Sequence, residues 1–299
     1  MNPCERLSPE LCAIFLFHGV ITESPYAVRN YTRKHLPASE FRTLVSDLRA
    51  AGTPLSMNDI LRHSRTKEPY PARSFAVTFD DGFANNLTVA APILRELDIP
   101  ATLYVTTGFV EENGMSWIDR VEHCLERIPS GTLSVPWSSA PRPFASAVDK
   151  RALLSEIRSN VKSDPELDVN AFVSSVFRQC GLAEIFASDD QLDRKLNWGQ
   201  VRVWRDMGFI VGGHSHTHAI LSFLDQQGLD REIDVSLRLL RRAGVSTEHY
   251  SYPEGLAHCY SDGVIAALQL RGIACCPTAE DGLNAPGADP FRLKRIMVA

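Results

Sequence analysis

Two adjacent carboxylates, Asp80 and Asp81, stand where an apolar run ends at a glycine. The run 74–79 reads SFAVTF, which is typical of a strand buried on both faces, and Asp-Asp-Gly predicts a turn directly after it. Buried acids are costly unless a positive group lies beside them. On these residues alone two interpretations stay open. Either Asp80 caps the following helix while Asp81 and Gly82 form the turn, or the two acids carry chemistry.

A second group of polar side chains, His214, His216 and His218, follows two glycines at the end of the apolar run 209–211. If the chain turns into a helix at His214, then His214 and His218 lie one turn apart on the same face and can bind one metal ion. If the segment stays extended, all three histidines share one face. The spacing therefore predicts a metal site and leaves two ligand sets open.

Two imidazoles and one carboxylate suit zinc or a similar divalent ion and leave a coordination position for water and substrate. Asp81 is the natural third ligand. Asp80 points the other way along the strand, so it is free to take a proton from a water molecule whose pKa the metal lowers towards about 7. The predicted cofactor is Zn²⁺, with Co²⁺, Ni²⁺ or Fe²⁺ as alternatives.

Alternating strands and helices surround these two motifs. The predicted helices are 40–50, 56–63, 85–97 with a kink at Pro92, 199–207, 229–243 and 261–270. The predicted strands begin at Ala13, Phe75, Ala101, Gly208, His249, Ile273 and Phe291. This rhythm predicts an α/β fold with a parallel sheet, and about seven strands are enough for a small barrel.

The rhythm is lost between Gly114 and Leu196, where every predicted element is a helix. These helices are 117–128, 145–161, 169–180 and 189–196. We interpret residues 114–196 as a helical subdomain inserted into a barrel formed by residues 1–113 and 197–299.

Composition narrows the partners and the compartment. The 299 residues include 31 basic and 36 acidic side chains, a net charge of -5, with no long block of one sign. This argues against nucleic acid or an anionic membrane surface as the main partner.

Seven scattered cysteines without a C-x-x-C pair indicate reduced thiols. The first residues lack the basic region of a signal peptide, and the apolar stretch 11–17 is too short to span a bilayer. A cytoplasmic protein without a transmembrane segment is expected.

Taken together, the segments 78–82 (TFDDG) and 214–218 (HSHTH, read as His-Ser-x-x-His) resemble the first two motifs of the polysaccharide deacetylases, carbohydrate esterase family 4. The segment 250–255 (YSYPEG) resembles the family's third motif, an aromatic residue followed by a Pro-x-Gly loop. Residues 196–198 (LNW) are similar to a tryptophan segment that precedes the histidine motif in many bacterial members. The resemblance covers most of the chain outside the helical insertion.

This resemblance implies a distorted (β/α) barrel that removes acetyl groups from N-acetylated, occasionally O-acetylated, sugars. It gives Asp80 the position of the catalytic base. It gives Asp81, His214 and His218 the positions of the metal ligands.

The resemblance also assigns residues around the reacting group. The third motif lends a backbone N–H to the oxyanion and side chains to the sugar, which here falls on Tyr252 and Glu254, although the family commonly has Tyr where this chain has Glu254. The family's general acid is a histidine in a late Leu-x-His motif, and no such motif follows Gly255. Some bacterial members resemble a circular permutation in which that strand comes first. His18, after the first strand, fits the place of the acid.

Three further residues could support the site, and each could instead have a purely structural place in the protein. Arg292 or Arg295 could pair with Asp80, or both could be surface charges. Trp198 could stack on a sugar ring, or it could belong to the core.

The predicted function is a metal-dependent sugar N-deacetylase, a hydrolase of non-peptide C–N bonds, acting on an N-acetylated sugar or oligosaccharide in surface polysaccharide biosynthesis. Two other functions stay open. One is hydrolysis of another amide C–N bond, and the other is a carbohydrate-binding protein without turnover.

Overall fold

The structure is a computed structural model that describes residues 3–22 and 25–299. The strands of this part of the chain, β1 to β10 in chain order, are Ala13–Phe17, Gly19–Ile21, His35–Pro37, Thr53–Pro54, Ser74–Phe79, Ala101–Val105, Gly131–Leu133, Arg142–Phe144, Ile210–Gly213 and Ile296–Met297. The α-helices, α1 to α10, are Ala38–Ala51, Met57–Thr66, Ala91–Glu96, Thr107–Glu112, Trp117–Arg127, Ala147–Ser163, Val169–Gln179, Trp198–Asp206, Gln226–Arg242 and Asp262–Leu270. Short 3₁₀ segments at Pro3–Arg6 and Leu221–Phe223 and a π-helical turn at Asn86–Ala90 complete the set.

A parallel sheet in the order β10-β1-β5-β6-β9 forms the centre of the fold, and β4 pairs with the start of β5. Phe17 at the end of β1 pairs with Phe79 at the end of β5, and Val105 at the end of β6 pairs with Gly213 at the end of β9. Parallel strands bring their carboxyl ends to one edge of the sheet. The residues that follow β1, β5 and β9 therefore meet at that edge, and the predicted α/β fold with a parallel sheet is confirmed.

Two predicted strands are wrong as regular elements. The segments beginning at His249 and Ile273 contribute only isolated parallel bridges, from Gly213 to Tyr250 and from His249 to Cys275. Proline has no N–H for a sheet ladder, and prolines follow soon after both segments.

The helix predicted over 85–97 is present as one continuous helical run from 84 to 96. Residues 86–90 of this run form a π-helical turn, directly before α3 and Pro92. Proline lacks the N–H for a helical bond to the preceding turn, so the irregularity lies where the kink at Pro92 is predicted.

The stretch 114–196 has a hydrophobic core of its own, formed mainly by α5, α6 and α7. Val28, from the long loop after β2, is the single buried member of this cluster from outside the stretch. The stretch is not purely helical, because β7 and β8 form an antiparallel hairpin. The boundaries 1–113, 114–196 and 197–299 stay a prediction.

The helix predicted at 189–196 is wrong. Its backbone instead bonds the loop after β5, where Ala84 N–H donates to the carbonyl of Arg194 (2.8 Å) and Leu196 N–H donates to the carbonyl of Gly82 (2.9 Å). These non-local bonds replace the helical ones.

No disulfide joins any of the seven cysteines, all of which lie in the described ranges. Within the described ranges, no helix has both the length and the apolar character that a bilayer crossing requires.

Candidate active site

Asp80 and Asp81 lie in the turn that ends β5, and both are almost completely buried, at 3 % exposure each. Asp80 N–H still donates to the carbonyl of Phe17 (3.0 Å), so the ladder with β1 continues to this residue. Asp81 then takes a left-handed conformation (φ 74°), as does Gly82 (φ 83°). The turn predicted from Asp-Asp-Gly exists, yet both carboxylates point into the protein and neither caps a helix.

A buried arginine holds the Asp80 carboxylate. Arg295, just before β10, donates from Nη1 to Oδ1 and from Nη2 to Oδ2, each at 2.8 Å. Ser251 Oγ lies 3.4 Å from Oδ1. Burial acts to raise the pKa of Asp80, but Arg295 and then His214 outweigh it and hold the pKa below its ordinary range. Asp80 is therefore an oriented, ionised carboxylate.

Asp81, His214 and His218 converge on one point. Their ligand atoms all lie within 4.8 Å of one another, and Asp81 Oδ1 is 3.3 Å from His218 Nε2 and 3.7 Å from His214 Nε2. Asp81 Oδ1 is buried and accepts no well-aligned hydrogen bond from the residues that the structure describes. A buried carboxylate oxygen without a donor, facing two imidazole nitrogens, fits a divalent cation.

Two of these three residues, His214 and Asp81, have a second contact on the side away from the shared point. His214 Nδ1 lies 3.0 Å from the carbonyl of Ser251, which leaves Nε2 as the nitrogen that faces Asp81. Lys34 Nζ pairs with Asp81 Oδ2 at 3.0 Å. Burial alone would raise the pKa of Asp81, but Lys34, followed by His218, keeps it well below its usual value.

The histidine segment is neither helical nor extended. Ser215 (φ 60°) and His218 (φ 65°) adopt left-handed conformations, and Ser215 Oγ accepts from His218 N–H at 2.9 Å. The resulting turn brings His214 and His218 together, as the helical alternative required. His216 points away from this pair, and its Nδ1 lies 3.1 Å from Thr107 Oγ1.

His18 follows β1 and lines the same cavity, which has a volume of about 200 Å³. Asn86 Nδ2 donates to its carbonyl at 2.7 Å. Burial lowers the pKa of His18 to about 4, against the opposing pull of Asp81 and Asp80. His18 is consequently neutral near pH 7 in the metal-free site.

The remaining predicted residues fall in different places. Glu254 lines the cavity in a left-handed conformation (φ 59°) and forms an ion pair with Lys162 of α6. The Tyr252 ring is buried, with its hydroxyl donating to the carbonyl of Phe291 (3.1 Å), so only its backbone is left for the oxyanion role.

Two of the supporting residues lie outside the cavity. Arg292 is a surface residue paired with Asp262 (2.5 Å), so the interpretation of Arg292 as a partner of Asp80 is wrong and Arg295 alone makes that contact. Trp198 begins α8 and donates its indole N–H to Glu111 (2.6 Å), and it does not line the cavity. As the residue after an Asn helix cap, it is placed by the start of α8.

Three basic cavity residues are absent from the residues singled out in the sequence: Lys34, Arg158 and Lys162. The sequence signal for Lys34 is its place in a polar loop, between Arg33 and His35. For Arg158 and Lys162 the signal was their spacing of one helical turn in α6, which puts both on one face.

Comparisons with known proteins identify the family of this chain. The family model described as Polysaccharide deacetylase matches residues 67–275, more than half of the chain. A search of curated proteins gives no match.

Several solved structures have a similar fold. A deacetylase from Streptococcus pyogenes, PplD, in complex with acetate, is 18% identical with a TM-score of 0.61, covering 97% of this chain and 93% of its own. IcaB from Ammonifex degensii is 17% identical with a TM-score of 0.60, covering 98% and 94%. The BpsB deacetylase domain from Bordetella bronchiseptica is 14% identical with a TM-score of 0.57, covering 98% and 97%. The likeness extends over the insertion as well as the central sheet.

Proposed function

We propose, since this chain belongs to the polysaccharide deacetylase family, that it is a metal-dependent enzyme that hydrolyses the N-acetyl, or O-acetyl, group of a carbohydrate in surface polysaccharide biosynthesis. Membership of the family makes the chain a hydrolase of the carbohydrate N-deacetylase class. The metal dependence, the residue roles and the biosynthetic setting are our proposals.

One observation carries the metal dependence. Asp81 Oδ1 is buried without a well-aligned donor from the described residues and faces the Nε2 atoms of His214 and His218. These three residues would hold the ion, and the N and O donors suit Zn²⁺, with Co²⁺, Ni²⁺ or Fe²⁺ as alternatives. When bound, a divalent cation polarises an acyl oxygen and lowers the pKa of water.

The other residues divide the proton transfers between them. Asp80, ionised and oriented by Arg295, accepts the proton of the attacking water. His18, on the neighbouring strand end, has a pKa of about 4 and is therefore neutral near pH 7. It takes up a proton from solvent water and then delivers that proton to the departing nitrogen. The backbone N–H of Tyr252 is the proposed oxyanion donor, and such a donor is worth roughly 3 kcal/mol.

We also propose that the sheet is most of a distorted barrel. Single bridges extend it from Gly213 to Tyr250 and from His249 to Cys275. Beyond them, Thr278 N–H donates to the carbonyl of Leu293 (2.8 Å), shortly before β10. These bonds support a ring that closes through β10 onto β1, with the strand of the acid at the start of the chain as in a circular permutation. A cytoplasmic location stays our prediction, supported by seven cysteines that form no disulfide among the described residues.

Metal analysis of the purified protein, together with acetate release from N-acetyl sugars, tests the proposal. Wild type should bind close to one divalent ion and release acetate, while Asp80→Asn should keep the ion and lose roughly 10²- to 10⁴-fold in turnover. Bound metal with hydrolysis of other amides but no acetate release would identify an amidohydrolase. Bound sugar without any hydrolysis would identify a binding protein.

A further inference from the structure

Two cations of α6 line the cavity beside the candidate metal site. Arg158 and Lys162 are four residues apart in this helix and both reach the same space as Asp80 and Asp81. Neither contacts the two catalytic-strand acids in the structure, so the proposed chemistry leaves both without a role.

The hydrogen-bonding capacity of Arg158 is not filled. Nη2 donates to Glu122 Oε1 at 2.9 Å, whereas Nε is buried and has no hydrogen-bond partner among the described residues. Glu122 is shared, because its other oxygen accepts from the backbone N–H of Asn30 at 3.0 Å. A buried guanidinium donor without an acceptor is costly, and native sites with one often await a ligand or water.

A second unmet polar atom lies next to it. The guanidinium carbon of Arg158 is 5.7 Å from the ring centre of Tyr31, and the hydroxyl of Tyr31 is also buried without a partner among the described residues. Two unmet groups that can both donate favour an acceptor-rich ligand, and a carboxylate or a phosphate offers acceptors only, when fully ionised.

The other charges on the surrounding wall are already paired. Lys162 pairs with Glu254, and Lys34 lines the cavity with its ammonium 3.0 Å from Asp81. Asp80 pairs with Arg295. The unfilled capacity for an anion on this wall is therefore that of Arg158, and an anionic group bound there would displace none of these pairs.

From these contacts we infer that the substrate carries an anionic substituent, a phosphate or a carboxylate, near the acetylated amine, and that Arg158 with Lys162 binds it. This inference rests on the proposed deacetylase function and names the substrate class for the same site. It gives α6, and with it the stretch 114–196, a part in selecting the substrate.

Matched substrates test the preference. Acetate release is compared for N-acetylglucosamine 1-phosphate and methyl N-acetylglucosaminide, and for N-acetylmuramic acid and N-acetylglucosamine. We expect kcat/KM to be roughly 10- to 100-fold higher for the charged member of at least one pair, the value of a charge-assisted hydrogen bond. The phosphate and carboxylate pairs separate the two sources of charge. Equal rates within both pairs overturn the inference and leave the deacetylase function standing.

Variants assign that preference to Arg158. Arg158→Gln should remove most of it, and Arg158→Lys should retain part of it because the charge stays while the fork is lost. Glu122→Gln combined with Arg158→Gln avoids leaving a buried carboxylate unpaired if the single variant folds poorly. Arg178→Gln, an exposed arginine of α7, is the matched control and should change nothing. A loss that is equal for charged and neutral substrates indicates a structural role and overturns the assignment.

A binding measurement separates this inference from the reaction. Metal-free protein is titrated with N-acetylglucosamine 1-phosphate and with its methyl glycoside by calorimetry, so that neither phosphate ligation of a metal nor turnover contributes. Tighter binding of the phosphate by wild type than by Arg158→Gln supports the inference even if no sugar is hydrolysed, a result that would instead count against the proposed function. Equal binding of the two sugars by wild type counts against the anion site.

Discussion

The cavity has two walls that are built in different ways. The strand wall consists of His18, Asp80, Asp81, His214 and His218, each of which stands in a turn at the carboxyl end of β1, β5 or β9. The helix wall consists of Arg158 and Lys162 on α6.

The strand wall is positioned by hydrogen-bond register, and the helix wall by packing within a separate hydrophobic cluster. The ends of β1 and β5 are paired directly, Phe17 with Phe79, so the residues after them have no freedom to separate. α6 belongs to the core of the stretch 114–196, and its Lys162 forms an ion pair with Glu254, in the loop that follows the bridge at Tyr250. This difference suggests that chemistry depends on the strand wall and substrate choice on the helix wall.

Among changes to the strand wall, loss of a proposed metal ligand should lower acetate release most. His218→Ala removes one of three donors, so we expect little bound metal and acetate release lower by roughly a thousandfold, because Lewis-acid stabilisation supplies several kcal/mol. His216→Ala is the matched control two positions away, since His216 contacts Thr107 and not the cavity. Metal analysis and acetate assays on both variants check this. A His218→Ala protein with normal metal content would break the ligand assignment.

Removal of the proposed acid should separate proton transfer from metal binding within the same wall. His18→Ala is expected to lower turnover by roughly a hundredfold while metal content stays unchanged, because His18 lines the cavity but is not among the three ligands. His258→Ala, an exposed histidine, serves as control. Unchanged turnover in His18→Ala would rule out its role as the acid.

The strand wall could be predicted because its signals are local. Asp80 and Asp81 follow an apolar run and precede a glycine, and His214 and His218 follow another such run. Parallel strands then bring the two groups to one edge without any further information. The unexpected feature is the backbone between the histidines, where the left-handed Ser215 forms a turn that is neither the helical nor the extended alternative.

The helix wall could not be predicted, because it depends on where α6 docks. The sequence indicated a helix over 145–161, which ends one residue before Lys162, and nothing local says which face of it meets Glu254. The helix predicted at 189–196 is wrong for the same reason. Its backbone forms hydrogen bonds with the loop after β5, and these tertiary bonds override helical propensity.

A pair of arginines near the end of the chain tests whether the orientation of the Asp80 carboxylate matters for turnover. Arg295→Lys keeps the charge but loses the two-pronged contact with Asp80, so we expect turnover to fall by about tenfold, one charge-assisted hydrogen bond, with metal content retained. Arg292→Lys, three residues earlier and paired with Asp262 on the surface, should leave turnover unchanged. Unchanged turnover in both variants would mean that Asp80 needs only a nearby positive charge and not the two-pronged contact.

The smallest expected effect concerns a residue outside both walls, His249. It tests whether the free energy of unfolding depends on pH through a group outside the cavity. His249 is buried at the Cys275 bridge, its Nε2 lies 2.7 Å from Asn58 Oδ1, and its Nδ1 has no partner among the described residues. Burial lowers the pKa of His249 to about 4. A proton on Nδ1 would leave a buried N–H without an acceptor.

The unfolded histidine has a pKa of about 6.5, so the unfolded state binds more protons than the folded state as the pH falls below that value. Stability should therefore be complete above about pH 6.5 and decline as the pH falls towards 4, by about 1 kcal/mol near pH 6 relative to pH 8. Urea unfolding at both pH values, with wild type and His249→Gln, measures the difference. Because glutamine does not titrate, the variant should lose less stability over this interval, and an identical loss in both proteins would show that other titratable groups, and not His249, set the pH response.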